Sequence, residues 1–106
     1  MNAWWLVGAA GAIEVVMALA LKASHGLSKP VPAAVGLVAA VSSLALLTMA
    51  MRQLPAGTAY AVWTGIGGVG VALFGIFVFG ESASPLRLLC IGLIVAGIAG
   101  LRMLET

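Results

Sequence analysis

Gly11-Ala12-Ile13-Glu14-Val15-Val16-Met17 sets an ionisable side chain inside an apolar run, Ala3 to Leu21, that holds no other charge. Nineteen residues rising ~1.5 Å each come close to the roughly 30 Å thickness of a bilayer's hydrocarbon core. The run therefore reads as a membrane-spanning helix, with Glu14 slightly past mid-membrane. A charge at that depth costs from ~2.5 to more than 10 kcal/mol. A carboxyl is rarely kept in such a place without a use; the plainer alternative is a protonated structural residue hydrogen-bonded to a neighbour.

Composition agrees with that setting. Of 106 residues, 63% are hydrophobic and 8% are charged, against roughly 25% charged in soluble domains. Mean hydropathy is +1.22. The chain reads as an integral membrane protein. Lys22, Lys29, Arg52, Arg87 and Arg102 outnumber Glu14, Glu81 and Glu105, for a net charge of +2. So small and scattered an excess does not suggest nucleic-acid binding. Cys90 is the only cysteine, which excludes an internal disulfide and a thiolate metal cluster. Its apolar surroundings predict a small buried hydrophobe. Met1-Asn2-Ala3-Trp4-Trp5 lacks the basic leader of a secretory signal, so a retained first helix is expected, anchored at the interface by Trp4 and Trp5.

Four apolar runs follow one another, at about 3–21, 31–51, 56–79 and 85–103. The breaks are turn material: Lys22 to Pro32 with its glycine and two prolines, Arg52-Gln53-Leu54-Pro55, and Gly80-Glu81-Ser82-Ala83-Ser84-Pro85. Ser84 and Pro85 read as an N-cap and a first helical position. A tail of three residues ends the chain. In lipid such runs satisfy their backbone only as helices. The expectation is a single all-α domain, an up-down bundle of four transmembrane helices with no soluble domain left over.

Lys and Arg ordinarily fix orientation by staying cytoplasmic. Here Lys22, Lys29 and Arg87 fall on one side, and Arg52, Arg102 and the amino terminus on the other. That near balance permits insertion both ways, and four short helices make a thin wall around any pathway. Together they point to an antiparallel, dual-topology homodimer. On the fourth run Gly92, Ala96, Gly97 and Gly100 form a stripe of small residues. Such stripes let helices approach closely in lipid, here between two copies or within one bundle.

Glu14 shares a helix face with Ala10, Gly11, Met17 and Ala18. The small residues leave room for a ligand or a partner helix. On the third run, Tyr60, Trp63, Thr64 and Gly67 share a face. Tyr60 offers a hydroxyl to a carboxylate, and Trp63 an aromatic face and an N–H. Both also suit interface aromatics. Ser42 and Ser43 lie deep in the second run, where either hydroxyl can bond its own helix instead. Gly65, Gly67, Gly68 and Gly70 crowd six positions, which reads either as a hinge or as close packing. His25 and Glu81 read as solvated loop residues. No nucleotide-binding loop, metal-ligand cluster or cofactor motif is present.

A carboxyl in this position holds a proton or a cation but not both. Substrate binding then expels the proton, and protonation releases substrate. In a symmetric dimer two such groups titrate as a pair. That is the minimum equipment for proton/cation exchange.

Pro55-Ala-Gly-Thr-Ala-Tyr-Ala-Val-Trp-Thr-Gly-Ile-Gly67, with Glu14 and Gly80-Glu-Ser-Ala83, resembles the small multidrug resistance family of proton-coupled exporters. The resemblance covers the whole chain. It implies an antiparallel dimer in the cell's inner membrane, with paired Glu14 residues at a shared site for substrate and proton. The family's binding-site Ser, Tyr and Trp match Ser43, Tyr60 and Trp63, which favours Ser43 over Ser42. Thr58, Thr64 and Gly11 resemble the guanidinium-exporting branch, whereas Met17 stands where that branch usually carries Trp.

Guanidinium suits the site physically. It is planar, delocalised and weakly hydrated, and its N–H groups match carboxylates bidentately. The expected function is proton-coupled export of guanidinium-type cations. The alternatives are polyspecific export of quaternary ammonium and other hydrophobic cations, which the adaptable Met17 would suit, and a structural membrane subunit without transport. A cation channel fits poorly with one intramembrane acid per chain.

Overall fold

The computed structural model describes residues 2–104. Met1 with its terminal amine, and Glu105 and Thr106 of the expected tail, lie outside them. Four helices account for most of the chain: α1 (Ala3–Ala23), α2 (Pro30–Ala50), α3 (Ala56–Val78) and α4 (Pro85–Leu104). Each is long and apolar enough to cross a membrane. α1 extends past the apolar run to take in Lys22 in its last turn, where a cation complements the helix dipole.

The helix ends follow from local chemistry. The Asn2 side chain accepts the Trp4 N–H at 2.8 Å and caps α1. The α1–α2 turn is built on Ser24, which is fully buried. Its hydroxyl donates to the Leu21 carbonyl (2.6 Å) and accepts the Leu27 N–H (3.0 Å). His25, Gly26 and Leu27 all take positive φ there, a conformation that costs a non-glycine residue roughly 1–2 kcal/mol. The Ser24 bonds offset that cost. Pro30 then opens α2, where a missing N–H loses nothing.

At the far end of α3, Gly80 adopts φ +67°. The chain can therefore curl back, and the Phe79 and Glu81 N–H groups both donate to the Gly75 carbonyl, at 3.0 and 3.1 Å. Ser84 accepts the Arg87 N–H at 3.3 Å at the start of α4.

The helices do not pack equally. α1 lies against both α2 and α3, α2 and α3 barely touch, and α4 packs along α3 alone, reaching α1 through the Arg102 side chain. The main core gathers Leu6, Val7 and Ala10 of α1, Leu47 and Ala50 of α2, and Ala59, Val62 and Trp63 of α3. These belong to the first half of α1, the end of α2 and the first half of α3, so the core fills one half of the span. Toward the other end α1 and α2 close on Gly36, where a Cβ would run into the Leu21 side chain.

No residue of α4 is buried, so the expected bundle is in fact three packed helices with a fourth leaning on α3. The molecule measures 42 × 34 × 18 Å. Its thin dimension holds about two helix layers at 8–10 Å spacing. Cys90 is exposed on α4, contrary to the burial expected of it, because only α3 packs along that helix.

Two arginines hold the ends of α4. Arg87 donates to Glu81 Oε1 at 2.6 Å, and the Arg102 guanidinium stands 5.5 Å from the Trp4 ring centroid. Glu81 is therefore ion-paired, where the sequence suggested a free loop residue. Lys22 stands over Phe79 at 5.3 Å and ties the end of α1 to the end of α3.

Candidate functional site

Glu14 emerges from the middle of α1 at the edge of the core, half-buried and facing α3. Its carboxyl rests on the backbone of Gly67, so close that a Cβ on residue 67 would overlap it. The Oε2 atom is shut off from solvent and has no hydrogen-bond partner among the described residues. Among the described residues no cation is paired with it. α2 contains no ionisable residue, Tyr60 is the only one on α3, and Lys22 lies two turns further along α1.

Ser43 and Trp63 form a buried chain of hydrogen bonds beside it. The Trp63 Nε1–H donates to Ser43 Oγ at 2.8 Å, and the Ser43 hydroxyl donates to the Ala10 carbonyl at 2.6 Å. Ser43 is fully buried and Trp63 nearly so. The chain links α3 to α2 to α1, and it ends one turn before Glu14. A serine hydroxyl has one proton to give. In this arrangement Ser43 spends it on the helix backbone, so turning to the Glu14 carboxyl would mean releasing Ala10. Ser42 is half-buried and faces the outer surface of α2 beside Leu37, Val38 and Val41.

The face expected on α3 is split by depth. Trp63 and Gly67 are buried, whereas Tyr60 and Thr64 are exposed on the single chain. Tyr60 meets Trp63 edge to face, ring centroids 5.0 Å apart at 76°, the preferred arrangement for aromatic pairs. Thr64 donates to the Tyr60 carbonyl of its own helix at 2.8 Å. Met17 and Ala18 are half-buried on the Glu14 face. The room expected at Gly11 is taken up by protein, since a Cβ there would overlap Ile66.

The α3 glycines serve separate contacts. Gly65 admits Ile98 of α4, Gly67 admits Glu14, Gly70 admits Val15, and Gly68 has nothing within 4 Å of where a Cβ would stand. α3 runs unbroken through all of them. Gly92, Gly97 and Gly100 of α4 likewise meet nothing within 4 Å. Gly97 and Gly100 line a groove of about 490 Å³ shared with Ala61 and Gly65 of α3.

Sequence reasoning did not find the Ala10 carbonyl, the contact of Gly67 with Glu14, or the Arg102–Trp4 pair. Ala10 and Gly67 act through backbone, which side-chain chemistry does not advertise. The last joins residues nearly a whole chain apart.

A lone intramembrane carboxyl, a buried Ser–Trp pair and an edge-on tyrosine are the elements the sequence resemblance led one to seek. A family model described as Small Multidrug Resistance protein matches residues 2–94. The chain belongs to the small multidrug resistance family. Its curated relatives include a guanidinium exporter of Salmonella typhimurium, 56% identical over 100 residues that span 94% of this chain and 95% of that one. A guanidinium exporter of Citrobacter freundii is 55% identical with the same coverage. Another, of Yersinia pseudotuberculosis, is 55% identical over 101 residues, 95% and 97% of the two chains. Like other members of the small multidrug resistance family, the protein is a multi-pass membrane transporter.

Proposed function

We propose that this protein exports guanidinium-type cations in exchange for protons, working as an antiparallel homodimer in the cell's inner membrane. The observation that carries the reading is Glu14, a lone carboxyl held mid-span with an oxygen that no group among the described residues satisfies, in a chain whose relatives at 55–56% identity are named guanidinium exporters. Paired Glu14 carboxylates from two copies would grip opposite edges of one planar cation through parallel N–H···O bonds. Tyr60, half-exposed on the single chain, and Trp63 behind it would complete the walls. Ser43 orients the carboxylate indirectly, by holding the turn that carries Glu14 through Ala10. Met17 and Ala18 line the same face, while Gly11 and Thr64 flank it.

Three features support the homodimer: the nearly balanced charge of the two ends, a slab only 18 Å thick, and a fourth helix with nothing buried. The α4 stripe of Gly92, Ala96, Gly97 and Gly100 is its packing face.

One observation favours a second reading. Met17, flexible and half-buried beside Glu14, would adapt to larger cations, as export of quaternary ammonium compounds needs. Proteoliposomes studied by solid-supported-membrane electrophysiology separate the two. Guanidinium currents that vanish in Glu14→Gln support the first; tetraalkylammonium currents with guanidinium inert support the second. A Glu14→Gln protein that still exchanges protons for substrate contradicts both.

A further inference from the structure

Both carboxylates among the described residues rest on glycines of α3. Glu81 lies on Gly75 and Glu14 on Gly67, and at each glycine a Cβ would overlap the carboxyl group. The two seats lie eight residues apart on the same helix. The Glu81 seat is occupied by a complete ion pair. The oxygen nearest Gly75, Oε1, is the one that receives the Arg87 guanidinium at 2.6 Å. At Glu14 the oxygen nearest its glycine, Oε2, is buried and unpartnered. A carboxylate laid on a bare α3 backbone and holding a guanidinium group is thus already realised once within this chain.

We infer that Gly67 is a positioning residue for exchange: its missing side chain is the seat that sets where the Glu14 carboxyl stands and how it presents itself to a guanidinium cation. This rests on the function proposed above, and it assigns Gly67 a task other than bending α3. The geometry distinguishes the two. At Gly67 the atoms an added methyl would meet are Oε1, Oε2 and Cδ of Glu14, the far end of a flexible side chain that can swing aside. The helix keeps its packing and only the carboxyl moves. At Gly11 the methyl would meet Ile66 Cβ at 2.8 Å, and the α1–α3 contact itself would have to open. At Gly68 it meets nothing within 4 Å.

Displacing the carboxyl alters its exchange with protons as well as its grip on the cation. The groups that face it from the packed elements are few: none that ionises on α2, and Tyr60 alone on α3. In the proposed dimer the second copy's Glu14 titrates with it and carries the same neighbouring substitution, so a change in the titration reports on where the two carboxyls stand.

The test compares Gly67→Ala, Gly68→Ala and wild type in proteoliposomes, with guanidinium chloride as the probe across a range of pH. Gly67→Ala is expected to weaken apparent guanidinium affinity at least tenfold and to shift the pH at which protons half-displace the cation. Gly68→Ala is expected to keep both within about twofold. If Gly67→Ala behaves as wild type, or both alanines fail alike, the seat is refuted; equal failure makes the glycine run a hinge. A double variant guards against misfolding. In Glu14→Asp the carboxyl is one methylene shorter and withdraws from residue 67, so adding Gly67→Ala is expected to change proton displacement no further. A full additional shift overturns the inference. Carbon-13 NMR titration of the Glu14 carboxyl in Gly67→Ala needs no substrate. A shifted titration there, in a protein that does not exchange guanidinium, would sink the proposed function and leave the seat standing; an unshifted one refutes the seat.

Discussion

Glu14 is tolerable in this fold because its neighbours give it space and a dry wall, and useful because they do not neutralise it. One turn before it along α1 ends the Trp63–Ser43–Ala10 chain, which holds the turn below the carboxyl without spending a donor on it. Replacing Ser43 with Ala would strand the Trp63 N–H in a buried setting. Unmade buried bonds cost about 1–3 kcal/mol each, so Ser43→Ala should lower stability by about that much and weaken guanidinium binding. Thermal unfolding in detergent and isothermal titration check the two effects, and loss of binding with full stability would mean a direct contact instead. Glu14 was legible in the sequence because a single acid in an apolar run of nineteen residues has no cheaper explanation. The choice between Ser42 and Ser43 was not legible from spacing, since adjacent helix positions point about 100° apart and nothing in composition says which way α1 lies.

The elements follow the sequence closely where the apolar runs and prolines punctuate them. Pro30, Pro55 and Pro85 each stand at a helix start, where their fixed φ and missing N–H do no harm. What the runs conceal is how the glycines of α3 are used. Composition permits a hinge; in this structure the helix is continuous, and Gly65, Gly67 and Gly70 each also admit a neighbour. A ligand-independent consequence follows at Gly70. A methyl there would meet Val15, a stiff β-branched side chain, so Gly70→Ala should destabilise the α1–α3 contact by about 1–3 kcal/mol, whereas Gly68→Ala should be neutral or slightly stabilising. Unfolding midpoints of the two variants measure this, and equal midpoints would contradict it. The Glu81–Arg87 clasp was likewise hidden, because it depends on Gly80 turning the chain back onto α3. Both partners are more than a third exposed, so Glu81→Gln should cost only about 0.2–1 kcal/mol. Reversing the pair, Glu81→Arg with Arg87→Glu, should recover part of it in the same assay.

Across the molecule as a whole, the fourth helix stands apart from the other three. α2 and α3 both pack on α1, yet α4 buries none of its residues, and Leu86, Leu89 and Leu93 stand well exposed along it. Lipid accepts such a surface, so hydropathy alone says nothing about whether a second copy covers it. The sequence carried one hint in the small residues at 92, 96, 97 and 100. The nearly even charge of the two ends carried another. If α4 is the packing face, Gly97→Leu and Gly100→Leu should abolish the dimer with the fold of each chain intact, which cysteine-free crosslinking or single-molecule photobleaching would register as monomers. Persistent dimers in both variants would place the interface elsewhere.

The proposed exchange turns on Glu14 holding proton and cation by turns. The direct measurement is guanidinium affinity as a function of pH, on wild type and Glu14→Gln in the same lipid. Affinity should fall as the medium becomes more acidic, by up to tenfold per pH unit for each proton displaced, and binding should be lost in the Gln variant. Guanidinium affinity that stays level across the titration, with protons neither taken up nor released on binding, would contradict exchange at Glu14.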